Sequence, residues 1–192
     1  MHTAEGQIIA VEQDTGRMLW RRYWPDVYLS FTSPLYIDGK LYYSSFFGYA
    51  ASQRKRRGLP EKNNGLTARM DPKTGEVVWL TTDYYVTSKC TISARDGRLY
   101  IGGFNRDKEG TDDRFVWCLS AKDGSLIWQS DPVTSALNVI TVGEKFIFSN
   151  ALRGKGNVFD RQTGKLSTAS DTTMRAAVSH FRNRMFWERT WT

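Results

Sequence analysis

The sequence predicts an all-β chain built from four-stranded antiparallel blades of a propeller, and three observations predict it. A Thr/Asp-Gly turn, followed four residues later by tryptophan, recurs along the 192 residues. A second turn between two short apolar runs follows each copy, most often as Asp-Gly. Helical periodicity is absent, while aromatic residues make up 14% of the chain, and such side chains cover pleated surfaces well.

The first copy runs from Ala10 through Glu12 and Thr15-Gly16 to Trp20. The second runs from Arg69 through Asp71 and Thr74-Gly75 to Trp79. The third runs from Cys118 through Ser120 and Asp123-Gly124 to Trp128. The fourth holds Val158, Asp160 and Thr163-Gly164, with Thr168 in the tryptophan place. The glycines lie 59, 49 and 40 residues apart. Such a period, with four short strands in each repeat, is that of propeller blades. Gly takes the strained backbone position of the turn. Glu12, Asp71, Ser120 and Asp160 are placed to bond turn amides. Trp20, Trp79 and Trp128 are expected to be buried between blades, each with a flat apolar face on its neighbour and one N–H for a backbone carbonyl. Thr168 removes both features and predicts a weaker contact there.

The second signal gives hairpins around Asp38-Gly39, Asp96-Gly97, Gly143-Glu144 and Asn183. Asp-Gly between apolar runs favours a two-residue turn with positive φ at both central positions. One domain is expected over 1–192, interrupted by a basic loop insertion at 50–65. The strands amount to about four blades. Outer pairs and inner pairs would complete four whole blades only if the 7–11 and 184–187 strands met. Four blades need steep angles between them, so an open arc of a larger ring is the expectation.

Net charge is +7, and more than half of it sits in that insertion, with Arg54, Lys55, Arg56, Arg57 and Lys62 against Glu61. The global charge thus reflects one loop, not a basic surface. No apolar run reaches the length of a membrane-spanning helix, and residues 1–6 have no signal-peptide character.

The repeated Ala-x-Asp-x-x-Thr-Gly-x-x-x-Trp pattern resembles the tryptophan-docking motif of the pyrroloquinoline-quinone-like propellers, over almost the whole chain. That superfamily spans quinoprotein alcohol and glucose dehydrogenases and the propeller lipoprotein of outer-membrane barrel assembly. The resemblance implies an extracytoplasmic, periplasmic location and rings of seven or eight blades. It assigns Gly16, Gly75, Gly124, Gly164, Trp20, Trp79 and Trp128 to blade docking. It implies no cofactor in this chain. Pyrroloquinoline quinone and calcium would follow only if the chain were part of a larger quinoprotein.

No catalytic, cofactor-binding or metal-binding residue is predicted. Cys90 and Cys118 are neither adjacent nor in a CxxC pattern, and no haem-attachment motif exists. They are expected to be small buried apolar residues, too far apart across one blade for a disulfide. The redox compartment stays open. Asn105, Asp107, Glu109 and Gly110 resemble the start of a calcium loop, but Val116 stands where its bidentate Glu belongs. His2 and His180, the only histidines, read as terminal and turn residues.

Three functions are weighed. The favoured one is a non-catalytic scaffold or binding module engaging a protein or glycan partner, with further blades of a parent propeller as neighbours. The second is a fragment of a quinoprotein dehydrogenase with an incomplete site. The third is an anion-surface binder acting through Arg54, Lys55, Arg56 and Arg57. Nucleic acid is not expected, because the aromatics precede the charges as a block instead of interleaving with them.

Overall fold

The computed structural model describes residues 7–25, 34–45, 57–58, 65–86, 92–104, 114–133, 139–150 and 156–167. They form four antiparallel sheets in chain order and contain no helix. The first is a pair, β1 (Gln7–Val11) with β2 (Met18–Tyr23). The second comprises β3 (Leu35–Ile37), β4 (Lys40–Ser44), β5 (Thr67–Met70) and β6 (Val77–Thr81), in that spatial order. The third repeats it with β7 (Ser93–Arg95), β8 (Arg98–Phe104), β9 (Arg114–Ser120) and β10 (Leu126–Gln129). The fourth holds β11 (Val139–Val142), β12 (Phe146–Asn150) and β13 (Asn157–Asp160), extended by a bridge from Phe159 to Leu166. These are propeller blades, in an arc of an outer pair, two complete blades and a fourth.

Local chemistry explains the turns. Asp38 and Gly39 take φ of 49° and 70°, and Asp96 and Gly97 take 50° and 72°. That is the double positive-φ geometry which Asp-Gly adopts at least cost. The expected hairpin around Gly143-Glu144 is present, with a longer turn than the two Asp-Gly copies. β11 and β12 are linked by three residues, 143–145, closed by the Gly143 amide on the Phe146 carbonyl at 2.8 Å. Gly143 is not among the positive-φ residues. A glutamate at the second central position disfavours the left-handed backbone that a two-residue turn requires, and the third residue relieves it.

The core lies between blades as well as within them. Ile8 of the first blade packs with Tyr43, Leu66, Ala68 and Met70 of the second, and Trp24 stacks on Tyr43 with centroids 5.2 Å apart. A larger cluster joins the second, third and fourth blades through Tyr42, Leu99, Tyr100, Ile101, Leu119, Ile140 and Ile147. Successive side chains of a strand point to opposite sheet faces. Tyr42 and Tyr43 therefore serve different blade interfaces.

Several expectations fall outside the described residues: Cys90, His2, His180, Thr168, the Asn183 hairpin, the 105–110 loop, and pairing of 184–187 with β1. Val116, the failed calcium position, is a fully buried β9 residue paired with Gly102.

Candidate functional site

Four copies of one turn organise the molecule. In each, the glycine amide donates to the carbonyl four residues back: Gly16 to Glu12, Gly75 to Asp71, Gly124 to Ser120 and Gly164 to Asp160, at 2.8–2.9 Å. In each, the residue that supplies that carbonyl donates its own amide to the residue after the glycine. The glycine φ values are 69°, 71°, 79° and 74°, a region L side chains enter at a cost. Side chains complete the turn. Asp71 Oδ1 accepts from the Lys73 and Thr74 amides at 2.7 and 3.2 Å. Asp160 Oδ1 accepts from those of Gln162 and Thr163 at 3.0 and 2.8 Å. The Thr163 hydroxyl, then these amides, hold the Asp160 carboxyl below the usual carboxylate range.

A tryptophan from the preceding blade lies on three of these glycines. A Cβ built on Gly75 would come within 2.5 Å of the Trp20 ring, on Gly124 within 2.7 Å of Trp79, and on Gly164 within 2.6 Å of Trp128. Only glycine admits the ring at that distance. Trp20 Nε1 donates to the Pro72 carbonyl at 2.9 Å, and Trp79 Nε1 donates to that of Ala121 at 3.3 Å. Trp128 Nε1 is buried with no partner. The expectation of buried indoles needs correction, because all three are half-buried. Each lies within the outer strand of its blade, so its inner face meets the next blade while part of the ring stays in solvent.

Further contacts between blades carried no sequence signal. Arg22, two residues after Trp20, donates from Nε and Nη2 to the Gly75 carbonyl at 3.0 and 2.9 Å. The Tyr42 hydroxyl donates to the Ala121 carbonyl at 3.4 Å. Arg161 bridges the fourth blade to the third, from Nη1 to Asp96 Oδ2 at 2.6 Å, while its Nε donates to the Glu144 carbonyl within its own blade, also at 2.6 Å. The Arg161 bond keeps the Asp96 carboxyl below its ordinary range. Asp131 accepts the Leu166 amide at 2.8 Å and donates its own amide to the Gly164 carbonyl at 3.1 Å.

Cys118 is fully buried on β9, and burial pushes its thiol up to about 11. Such a thiol is a poor nucleophile at neutral pH. Among the described residues no three His, Cys, Asp or Glu side chains converge to hold a metal ion, and no helix is long and apolar enough to cross a membrane. Of the basic run, only Arg57 is described; it lies exposed in a turn with Gly58. Arg54, Lys55 and Arg56 lie outside the described residues.

BamB from Moraxella catarrhalis matches at 18% identity and a TM-score of 0.55, covering 84% of this chain and 42% of that one. A europium-containing methanol dehydrogenase matches at 19% and 0.60, covering 86% and 38%. The quinohemoprotein alcohol dehydrogenase of Comamonas testosteroni matches at 16% and 0.61, covering 86% and 32%. At these identities the likeness is one of fold, and the chain spans less than half the length of each. No curated protein matches the chain. The family described as outer membrane protein assembly factor BamB matches residues 4–184. With its turns, docked indoles and blades all of that repeat, the chain belongs to this BamB family of pyrroloquinoline-quinone-like propellers.

Proposed function

We propose that the chain is a non-catalytic scaffold whose blades engage a protein partner through their outer strands. One observation carries this reading. In each of the first three blades the residue before the docked tryptophan is apolar and exposed: Leu19 at 50%, Val78 at 52% and Ile127 at 44%. Alternation along a strand turns the tryptophan to the neighbouring blade and this residue away from it. β6 and β10 are the last strands of their sheets, so their apolar side chains flank an unpaired backbone edge. Such an edge suits a partner strand or an apolar partner surface.

The Trp–Gly contacts act, on this reading, as blade-to-blade docking that keeps the outer strands in place. A periplasmic or otherwise extracytoplasmic location accords with a family whose description names the outer membrane. No cofactor is proposed for this chain, and further blades of a parent propeller are proposed as its neighbours.

The test compares the wild-type chain with a Leu19→Glu, Val78→Glu, Ile127→Glu variant in affinity capture, with thermal melts as a folding control. A protein captured by the wild type and lost by an equally stable variant supports the reading. Equal capture by both overturns the assignment to the outer strands. Glycan binding untouched by the variant would move the site elsewhere. A near-ultraviolet quinone absorbance in the purified protein would favour the dehydrogenase-fragment reading.

A further inference from the structure

The geometry points to a binding site for a small monovalent anion, of halide size, where the third and fourth blades meet, formed by Arg98, Tyr100, Trp128 and Arg161. This goes beyond the scaffold reading and does not rest on it.

Three buried polar atoms gather there without a hydrogen-bond partner: Arg98 Nη1, the Tyr100 hydroxyl and Trp128 Nε1. Strand pairing brings them together. Tyr100 on β8 and Trp128 on β10 both stand opposite Cys118 on β9, so the three share one sheet face. Arg98 joins that face two residues before Tyr100. The Tyr100 and Trp128 rings have centroids 5.9 Å apart, and Tyr100 is fully buried. Arg161 reaches in from the fourth blade, with its side chain only 11% exposed. Burial, then the Cys118 thiol, push the Tyr100 phenol up, while the Arg161 and Arg98 guanidiniums pull it down. Both guanidiniums thus act on this one hydroxyl.

The interface of the second and third blades shows where such a row points. Tyr42 and Trp79 there hold the places of Tyr100 and Trp128, with ring centroids 6.3 Å apart. The Tyr42 hydroxyl and Trp79 Nε1 converge on one acceptor, the Ala121 carbonyl, at 3.4 and 3.3 Å. In the fourth blade Arg161 stands in the place of Ala121. Its amide keeps the matching backbone bond, to the Lys145 carbonyl as that of Ala121 goes to Gly97, both at 2.9 Å. Its carbonyl nevertheless accepts from neither Tyr100 nor Trp128. The two donors therefore converge where the protein supplies no acceptor.

Charge and hydrogen count both select an anion. The Trp128 N–H and the Arg98 guanidinium donate only, and a guanidinium keeps its proton in a protein. Asp96 pairs with Arg161 and Arg95, and among the described residues no carboxylate pairs with Arg98. An unpaired charge held out of water is costly. An anion offsets that cost and accepts from every side. A water molecule brings two hydrogens of its own to indole and guanidinium groups that cannot accept them. All three donor atoms are buried, which restricts the guest to a small ion. Cys118 stands where the second blade carries Arg69, a shortening of the row that favours such a guest.

The test is urea unfolding of the full-length chain in sodium chloride and in sodium gluconate of equal ionic strength, gluconate being too large to enter. An ion bound only by the folded state lowers the unfolding constant about tenfold for each tenfold rise above its dissociation constant. The wild type is expected to show that dependence in chloride and not in gluconate. Arg98→Met should abolish it and, in gluconate, be no less stable than the wild type, because the unpaired charge is gone. Trp128→Phe keeps a ring in place and removes one donor. It should weaken chloride binding about tenfold, so that its small cost in gluconate grows as chloride is added. Crystals grown in sodium bromide should show an anomalous peak between Arg98 Nη1 and Trp128 Nε1. No chloride-specific dependence in the wild type, the result expected of a site filled by water, overturns the proposal. So does a dependence unchanged in both variants, a bromide peak only elsewhere, or an Arg98→Met loss equal in the two salts, which would make Arg98 a packing residue. If Arg98→Met fails to fold, Trp128→Phe and the bromide peak decide.

Discussion

Replacing Gly124 by alanine measures what an indole on a turn glycine is worth, and Gly16 supplies the internal control. Alanine at φ of 79° costs about 1–2 kcal/mol for the left-handed backbone alone. Its Cβ also lands 2.7 Å from Trp79 Cε3 and 2.9 Å from Cζ3. The ring must then lift, and overpacking of this kind costs about 1–3 kcal/mol more. Gly124→Ala is therefore expected to destabilise by about 2–5 kcal/mol. Gly16→Ala, at φ of 69° with nothing within 4 Å, bears only the backbone cost of about 1–2 kcal/mol. The assay is urea unfolding followed by tryptophan fluorescence and far-ultraviolet circular dichroism, whose coincidence tests two-state behaviour. For a chain of this size the gap between the two variants corresponds to roughly 2–12 °C in melting temperature. In a Trp79→Ala background the ring is gone, so the Gly124→Ala cost should fall to that of Gly16→Ala. Equal costs for the two glycine variants, or an undiminished Gly124→Ala cost in that background, would refute the docking argument.

Other expectations follow from the same contacts. Trp79→Ala should cost near the lower end of the usual range of about 3–5 kcal/mol, because the ring is half-buried; a urea midpoint equal to wild type would contradict it. Trp20→Phe gives up the Pro72 bond and should lose about 0.5–1.5 kcal/mol, whereas Trp128→Phe, whose N–H is unpartnered, should lose less; the reverse ranking speaks against the assigned bonds. Cys118 should resist alkylation in the native protein at pH 8, and rapid modification there would mean that β9 opens readily. Its folded value of about 11 lies above the ordinary 9.0, so the folded state keeps a proton that the unfolded chain releases. Its contribution is complete below about pH 9 and is lost as pH rises towards 11, a slope that Cys118→Ala should flatten. Deleting 52–62 should leave the melting temperature within a few degrees and abolish any salt-sensitive retention on heparin; a large drop would mean that the loop packs on the body.

Much of the fold is legible in the sequence because its turns depend on residues with few alternatives. Asp38-Gly39 and Asp96-Gly97 specify a backbone that few other pairs tolerate. The three Thr/Asp-Gly…Trp copies specify strand, turn and ring at fixed offsets. Gly143-Glu144 marks its hairpin but not the length of the turn, because a glycine in a loop signals freedom and not one conformation. The depth of each tryptophan depends on how blades stack, and its offset from the glycine carries no such information. The bond between Arg161 and Asp96 spans 65 residues, and no local pattern announces a contact of that range. The missing partner of Trp128 is equally invisible, since Arg161 occupies the place of Pro72 and Ala121 in a repeat that otherwise matches.

Where the copies agree, their polar groups are spent on architecture. Asp71 and Asp160 each accept two turn amides at Oδ1, and Thr74 and Thr163 accept the amides two residues on. Recruiting any of them for chemistry would unmake a turn and release the ring seated on its glycine. Function must then reside where the copies are free to differ without touching that architecture. One such place among the described residues is the outward residue before each tryptophan, apolar and exposed in three blades although solvent would accept a polar side chain. The stability of this chain leaves that repetition unexplained, and a protein partner on the outer strands, as proposed, would account for it.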